Sequence, residues 1–217
     1  MSLSIRRYIS ALSWLLALFF ISACSKPAEI PLQTAPEDWV QHDTISFSLA
    51  LPSTYTALRS AQEIDAWLST LAESRPLNAD LVQELTANRK NLLLIAYDDT
   101  QNGLECPPTV QVTRLEVGSV NSMMSDQVYQ SLTEQLKTAF EPRGVVVTSE
   151  ERVRWGEILI AHYTTDQTTS CQNTALYIVP QGIYWYFVAY SASKSEFAAM
   201  QPAFAQSIAT FSSVYGD

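Results

Sequence analysis

Tyr184-Trp-Tyr-Phe-Val-Ala-Tyr190 is the stretch of this sequence that decides the fold. An uninterrupted run of aromatic and small apolar residues of this length predicts a β-strand, which we extend to Ser191. Because side chains alternate along a strand, Trp185 and Phe187 point to one face of the sheet. The other face receives the tyrosines: Tyr184, Tyr186 and Tyr190. Two interpretations stay open: helices cover both faces, or one face leaves an apolar groove for a ligand or a partner.

The residues on either side extend this pattern. Before it, a predicted strand over residues 174–179 and the connection Pro180-Gln-Gly-Ile183 form a hairpin, with glycine where φ is expected to be positive. After it, Ser193-Lys-Ser-Glu196 matches a capping box and predicts the start of a helix. Pro202 lies inside that helix, so we expect a kink there or a short turn before the main helix. The apolar face of the helix consists of Phe197, Met200, Phe204, Ile208 and Phe211.

The rest of the chain alternates between strand and helix signals. Strands are predicted over residues 45–51, 92–97, 110–117, 145–148 and 158–164. Helices are predicted behind the capping box Ser60-Ala-Gln-Glu63, over residues 78–88, and behind Ser125, where apolar residues recur every fourth position. This order predicts an α+β fold: a single-domain α+β sandwich with a mainly antiparallel sheet flanked by helices.

Two parts of the sequence resemble a known family. One is the opening Phe47-Ser-Leu-Ala-Leu-Pro52 strand with Tyr55 soon after it. The other is the aromatic strand running into Glu196-Phe197, Pro202, Phe204 and Ile208-Ala-Thr-Phe211. Together they resemble the PsbP-like family, which includes an extrinsic photosystem subunit, a Ran-binding nuclear protein and many bacterial lipoproteins. The resemblance implies an α-β-α sandwich around an antiparallel sheet, in agreement with the order of elements. Members of the family mostly bind proteins or have no known activity, and the resemblance carries over no catalytic residue.

The N-terminus has the parts of a secretory signal. Arg6-Arg7 precede an apolar run over residues 8–21, and Ile21-Ser22-Ala23-Cys24 follows. This ending is typical of a bacterial lipobox, so we predict that residues 1–23 are a lipoprotein signal peptide and that Cys24 is the lipidated first residue of the mature chain. The run has 14 residues, whereas a transmembrane helix needs roughly 20. A cleaved signal without lipidation is the remaining alternative.

Residues 24–41 are predicted to be the lipidated N-terminus and a flexible tether, and residues 42–217 the folded domain. Pro27, Pro31 and Pro36 interrupt the tether, which has little hydrophobic periodicity. Such a spacer would hold the domain away from the bilayer. The expected location is the bacterial cell envelope with the domain facing the periplasm, and Ser25 favours sorting to the outer membrane.

The charge of the chain restricts its partners. The formal net charge is −9, and loss of Arg6 and Arg7 with the signal makes it −11. A protein of this sign gains nothing from counterion release on nucleic acid and is repelled by anionic headgroups. We therefore expect no nucleic-acid partner, and membrane association through the acyl anchor alone.

Lipidation of Cys24 leaves two of the three cysteines, Cys106 and Cys171. An even pair in an exported domain indicates a disulfide. Two free thiols or metal ligands are the alternatives, but neither residue has a second cysteine or a histidine nearby at ligand spacing, and no C-x-x-C is present. We predict a structural Cys106–Cys171 disulfide.

The two histidines do not indicate a catalytic or metal site. His42 is expected to be exposed where the tether meets the domain, and His162 to lie on the sheet face of Ile158 and Ile160. No third ligand at workable spacing accompanies them, and no G-x-S-x-G elbow is present.

Two further motifs have ordinary explanations. The S-x-x-K match Ser191-Ala-Ser-Lys194 lacks the partner motifs of penicillin-binding proteins, and it falls where a strand ends and a helix starts. Asp98, Asp99, Asn102 and Asp166 could offer oxygen ligands to calcium, but they do not have the spacing of an EF-hand, and turn chemistry accounts for them. We therefore predict no catalytic residue, metal or cofactor.

These patterns predict a non-enzymatic, lipid-anchored envelope lipoprotein that binds a protein partner or serves as an accessory subunit. The alternative is a carrier for a small apolar ligand on the aromatic strand, and a hydrolase stands third. An enclosed pocket beside residues 184–190 would favour the carrier, whereas a filled core with an exposed apolar patch would favour partner binding. A hydrolase would require a serine and a carboxylate within hydrogen-bonding reach of His162.

Overall fold

The computed structural model describes residues 28–74, 86, 89–101, 106–118, 124–168 and 171–213. The predicted signal peptide, Cys24 and Ser25 lie outside these ranges. The helix predicted over residues 78–88 also lies outside them, apart from the helical Thr86.

Strands and helices follow one another along the described residues. The strands are β1 (Ala28–Ile30), β2 (Trp39–Asp43), β3 (Phe47–Pro52), β4 (Tyr55–Leu58), β5 (Leu92–Asp98), β6 (Thr109–Glu116), β7 (Val145–Trp155), β8 (Ile158–Gln167), β9 (Gln172–Gln181), β10 (Tyr184–Ser193) and β11 (Ser212–Ser213). The α-helices are α1 (Ala61–Ser74), α2 (Asp126–Phe140) and α3 (Phe197–Ala209). Short 3-10 turns occupy Arg89–Asn91, Asp99–Gln101 and Glu141–Arg143.

Eight strands form one large sheet in the order β1-β7-β8-β9-β10-β6-β5-β4. Neighbouring strands are antiparallel except β1 and β7, which are parallel. Strand β10, the aromatic stretch, pairs with β9 along its whole length and with β6 on its other side. The turn before it contains Gly182 with a φ of 59°, as the sequence predicts. The predicted α+β fold with a mainly antiparallel sheet is confirmed.

One face of this sheet, which we call the α3 face, is covered by α3 and by a small antiparallel sheet of order β11-β3-β2. Phe47, Leu49 and Leu51 of β3 all point into this core, as their alternation predicts. The strand itself, however, lies in the second sheet, so this outer layer combines a sheet with a helix and does not consist of helices alone. Ile45, which the sequence places in the same strand, is 89% exposed in the β2–β3 turn.

The opposite face, the α2 face, is covered by two helices over different strands. On α1, Ile64 and Leu68 pack against β5, and on α2, Leu132 packs in the cluster that holds residues of β8 and β9. Residues that are paired across neighbouring strands point to the same face of the sheet. Ile95 of β5 is paired with Gln111 of β6, which is paired with Ala189 of β10, so all three point to the α2 face. Strands β6 and β10 therefore run between the areas covered by α1 and α2.

The capping predictions hold for two of the three helices. Ser60 Oγ accepts from the Glu63 backbone N–H at 3.1 Å, and the Glu63 carboxylate accepts from the Ser60 backbone N–H at 2.9 Å. Ser125 Oγ accepts from Val128 N at the start of α2. At α3 the prediction is wrong in detail: Glu196 is the N-cap and makes no side-chain capping bond, and the helix continues through Pro202.

The described part of the predicted tether corrects the sequence interpretation. Ala28–Ile30 pairs with the end of β7, and Trp39–Asp43 pairs with β3. Strand β1 pairs with a segment that is distant in the sequence, and β2 is only five residues long. Neither strand is therefore visible in the composition or the hydrophobic periodicity. Residues 28–41 are therefore in part integrated into the fold.

Strand β7 is longer than predicted. The strand assigned to residues 145–148 extends to Trp155 and pairs with β8 along its length, with a bulge between Val147 and Ser149. Charged residues 150–152 interrupt the apolar pattern in the sequence, because their side chains pair with groups of α2 and β8 that only the fold brings close.

The two cysteines are joined in a disulfide with a Cα–Cα distance of 6.2 Å. Each precedes a strand, Cys106 before β6 and Cys171 before β9. Both strands are antiparallel to β10, so they run in the same direction and begin at the same end of the sheet. The predicted pairing and its geometric reason are thus present in the structure.

Candidate functional site

Strand β10 divides its aromatic side chains between the two faces, as alternation predicts. Tyr186 and Tyr190 point to the α3 face and are fully buried. Tyr186 Oη donates to the Ser46 carbonyl oxygen at 3.1 Å, and Tyr190 Oη donates to Ser207 Oγ at 2.9 Å. These two residues, which the sequence offers for a ligand surface, are core residues with satisfied hydroxyl groups.

The Tyr190 hydroxyl belongs to a buried network that holds α3 on the sheet. Ser207 of α3 donates in turn to the Ala50 carbonyl oxygen of β3 at 2.8 Å. The Tyr190 ring stacks on Phe204, with ring centroids 5.1 Å apart. Burial raises the pKa of Tyr190 well above its ordinary value, so the hydroxyl stays protonated and available as a donor.

Tyr184 lies at the start of the strand, half-buried against the α3-face core. The Arg114 guanidinium of the neighbouring strand lies over its ring, 4.3 Å from the centroid. A cation on a tyrosine face at this distance is a favourable contact within the sheet. Tyr184 is thus engaged at the end of the strand.

Trp185 and Phe187 point to the α2 face, where they pack against the cluster under α2 without becoming fully buried. Trp185 forms the floor of a groove of about 490 Å³ whose wall is α2. The groove, called here the Trp185 groove, is lined by Ser125, Gln127, Val128, Ser131, Leu132, Gln135 and Trp185. Leu115 of β6 is the cross-strand partner of Trp185 and is 45% exposed. The structure therefore has a partly open apolar groove on one sheet face, which the sequence left open as the alternative to two fully covered faces.

Helix α2 is fixed on the sheet by contacts on the side away from the groove. Thr133 Oγ1 and Tyr163 Oη form a buried hydrogen bond of 2.8 Å, and burial raises the pKa of Tyr163 to about 12. Lys137 pairs with Glu150 at 2.7 Å, and Arg152 pairs with the acidic residue that opens the helix. The wall of the groove is therefore a helix held on the sheet by these contacts, and its polar side chains form the rim of the groove.

A second hollow, of about 570 Å³, lies beside α1. Its lining residues Ala61, Asp65, Thr86, Arg89 and Lys90 are mostly polar. Asp65 and Arg89 form an ion pair of 2.7 Å within it. This hollow contains no part of the aromatic strand and its lining is mostly polar and charged, so the Trp185 groove is the better candidate for an aromatic binding surface.

His162 lies on the sheet face predicted for it, but the sequence does not predict the side chains that contact it there. Its Nδ1 is 2.8 Å from Glu151 Oε1, and its ring stacks on Tyr177 with centroids 4.3 Å apart. Glu151 is the cross-strand partner of His162, a pairing visible only once the β7–β8 register is known. Among the described residues, Nε2 of His162 has no hydrogen-bond partner. A Ser-His-carboxylate triad requires both a carboxylate and a serine at the histidine. Glu151 supplies the carboxylate, whereas no described serine is hydrogen-bonded to Nε2.

His42 corrects the prediction of an exposed residue. It lies in β2 opposite Leu49 and is 6% exposed. Burial lowers its pKa, the Arg59 charge lowers it further, and Asp43 partly opposes the shift.

The acidic residues considered for calcium are engaged in local bonds. Asp98 Oδ1 accepts from the backbone N–H and the hydroxyl of Thr100, at 3.0 and 2.6 Å. Asp166 pairs with Lys194 at 2.7 Å, and Asn102 lies outside the described ranges. Within those ranges, no three residues among histidine, cysteine, aspartate and glutamate are grouped as metal ligands would be. In the same part of the chain, no helix combines the length and apolarity needed to cross a bilayer.

Comparisons with known proteins identify the fold. No protein-family model matches the chain. A search of curated protein sequences finds no match either. Among solved structures, the chain is similar to the solution structure of cyanobacterial PsbP (CyanoP) from Synechocystis sp. PCC 6803, with a TM-score of 0.53 and 8% sequence identity. The match covers 89% of this chain and 99% of that one. The chain has a PsbP-like fold.

Proposed function

We propose that this protein is a non-enzymatic, lipid-anchored lipoprotein of the bacterial envelope that binds a protein partner through the Trp185 groove. The observation that carries the proposal is the division of β10. Its tyrosines fill the α3-face core, while Trp185 and Phe187 remain half-covered beside a helix with a polar rim. Aromatic side chains framed by polar residues are typical of protein-binding surfaces.

The shape and lining of the groove favour a protein over a small apolar ligand. Carrier sites enclose most of their ligand in an apolar cavity. Here Ser131 and Gln135 are exposed at the rim, and the Gln135 amide donates to Ser131 Oγ at 3.0 Å. The α3-face core beside Tyr186 and Tyr190 is filled by side chains. The carrier thus remains the second outcome of the test described below.

The absence of catalysis is part of the proposal. It is supported by the missing serine at Nε2 of His162 among the described residues and by the PsbP-like fold. The lipid anchor is supported by Ile21-Ser22-Ala23-Cys24 behind a basic, apolar N-terminus. A disulfide is compatible with an oxidising envelope compartment, and Ser25 with sorting to the outer membrane.

The proposal is tested by affinity capture of the tagged, lipidated protein from native envelopes, with mass spectrometry of proteins and of extracted small molecules. Leu115→Asp places a charge on the exposed cross-strand partner of Trp185, beside the floor of the groove. Val146→Asp is the matched control, since Val146 is a similarly exposed apolar residue, at 52%, on the edge-side strand β7.

We expect one or more proteins to be captured by the wild type and by Val146→Asp and to be lost with Leu115→Asp. Identical capture by both variants would place the partner elsewhere. Failure to capture any protein above a Cys24→Ala control, together with recovery of a bound apolar molecule, would replace partner binding with the carrier function.

A further inference from the structure

We propose that the edge of the large sheet formed by β1 and β7 is held directly against a phospholipid bilayer, without a spacer that lifts the domain away. This inference rests on the proposed lipidation of Cys24. It replaces the stand-off tether expected from composition with a membrane-facing surface of defined position.

The chain is fixed to the fold from Ala28 onward. Ala28 pairs with Val153 and Ile30 with Trp155, and the Ile30 side chain packs against the α3-face core. Further along, the Gln33 backbone N–H donates to the Ala209 carbonyl oxygen at the end of α3, at 3.0 Å. The start of the fold is therefore anchored by both sheet pairing and packing.

The distance between anchor and fold is limited by covalent geometry. Ala28 is four residues after Cys24. Four residues span at most about 14 Å, whatever conformation they adopt. An acyl chain on Cys24 lies in the bilayer, so the β1 end of the sheet lies within that distance of the headgroup layer.

The chemistry of this edge is compatible with a zwitterionic headgroup surface. Glu29 and Arg154 are cross-strand partners of opposite charge and are both exposed, so their local charges cancel although the mature chain is strongly acidic. Leu32, just beyond β1, is an apolar side chain that is 56% exposed. The opposite edge, β4, lies seven strand spacings away, about 34 Å across the sheet.

This orientation also restricts the partner. Strand β10 is four strand spacings from β1, about 19 Å across the sheet. Together with the reach of the N-terminal residues, the Trp185 groove lies within roughly 35 Å of the bilayer. A protein embedded in or anchored to the same membrane is therefore within reach of the groove.

The test uses the full-length lipidated protein in phosphatidylcholine vesicles that contain a lipid with a nitroxide on its headgroup. A small fluorescent amino acid replaces Glu29 near the proposed contact or, as the control, Ser53, an exposed residue before β4 at the far edge. A third protein carries the label at position 29 and a flexible spacer of about 20 glycine and serine residues before Ala28, with a mean span of roughly 25 Å.

We expect fluorescence at position 29 to be quenched several-fold more than at position 53, and the spacer to remove most of this difference. Equal quenching at both positions, or quenching at position 29 that the spacer leaves unchanged, would overturn the inference while leaving the anchor intact. Wild-type protein that floats with vesicles no better than Cys24→Ala would overturn both the anchor and the orientation.

Discussion

The two faces of the large sheet differ in how completely they are covered. On the α3 face, a helix and a three-stranded sheet bury every aromatic ring that β10 offers except the half-buried Tyr184. On the α2 face, α1 and α2 cover the two sides of the sheet and leave Trp185 and Phe187 beside a groove. Adjacent residues of one strand thus have different tasks. The α3 face forms the closed core of the fold, and the α2 face contains the groove that we propose binds a partner.

The largest expected difference between the faces is in stability. Phe204→Ala on the α3 face should lower the free energy of unfolding by about 3–5 kcal/mol, since it leaves a cavity in a closed core. Phe187→Ala on the α2 face should cost only roughly 1–2 kcal/mol, because water can enter the space beside a half-buried ring. Denaturant titration measures both. Equal losses would show that the α2 face is as closed as the α3 face.

The disulfide should contribute a comparable amount without favouring either face. Replacing both cysteines, Cys106→Ser with Cys171→Ser, opens a loop of 65 residues. The chain-entropy model gives a loss of about 4 kcal/mol for a loop of this length. Denaturant titration of the oxidised wild type and the double variant gives the difference. The bond would be contradicted if the wild-type protein isolated from the envelope had two alkylatable thiols and the same mobility on a non-reducing gel as the reduced protein.

The packing of α2 on the sheet can be weakened by a substitution outside the groove. Tyr163→Phe removes the buried hydrogen bond to Thr133 and should lower the free energy of unfolding by about 1 kcal/mol, since the threonine hydroxyl loses one of its partners. The control is the double variant that adds Thr133→Val, which removes both polar groups and should recover much of the loss. If the double variant is less stable than the single one, the hydrogen bond is not the cause.

His42 should give the smallest effect, visible only as a pH dependence. Its pKa in the folded state is lowered by burial and by Arg59, whereas the unfolded chain has an ordinary histidine pKa of about 6.5. Above that value both states are neutral; as pH falls below it, the unfolded state binds the proton first and stability decreases. Thermal unfolding of wild type and His42→Leu between pH 7.5 and 5.5 should show a shallower decline for the variant. Parallel declines would mean that His42 is not excluded from protonation.

The sequence predicts features whose signal is local. The period of β10, the capping box at Ser60 and the spacing of apolar residues in α2 all appear in the structure, because each depends on neighbours within a few positions. The cysteine pair is also predicted, since an even number of cysteines in a chain expected to be exported indicates a disulfide. These features establish the fold class and the position of the aromatic strand.

Features that depend on distant partners could not be predicted. Three residues of β1 become a strand only through the end of β7, and Glu151 meets His162 only through a strand register. Alternation shows that Trp185 and Tyr186 face opposite ways, but it does not tell which side is closed. That depends on where α1, α2 and the small sheet pack, which is decided by contacts across the whole chain.

The most direct test of the division between the faces uses two neighbouring positions on α2. Ser131 lines the Trp185 groove, whereas Gln130 is exposed but does not line it. A photo-reactive amino acid at each position, irradiated in native envelopes, reports what lies beside that side of the helix. We predict a discrete protein adduct from position 131 that Leu115→Asp abolishes, and none from position 130. The same adduct from both positions, or no adduct from 131, would contradict the account.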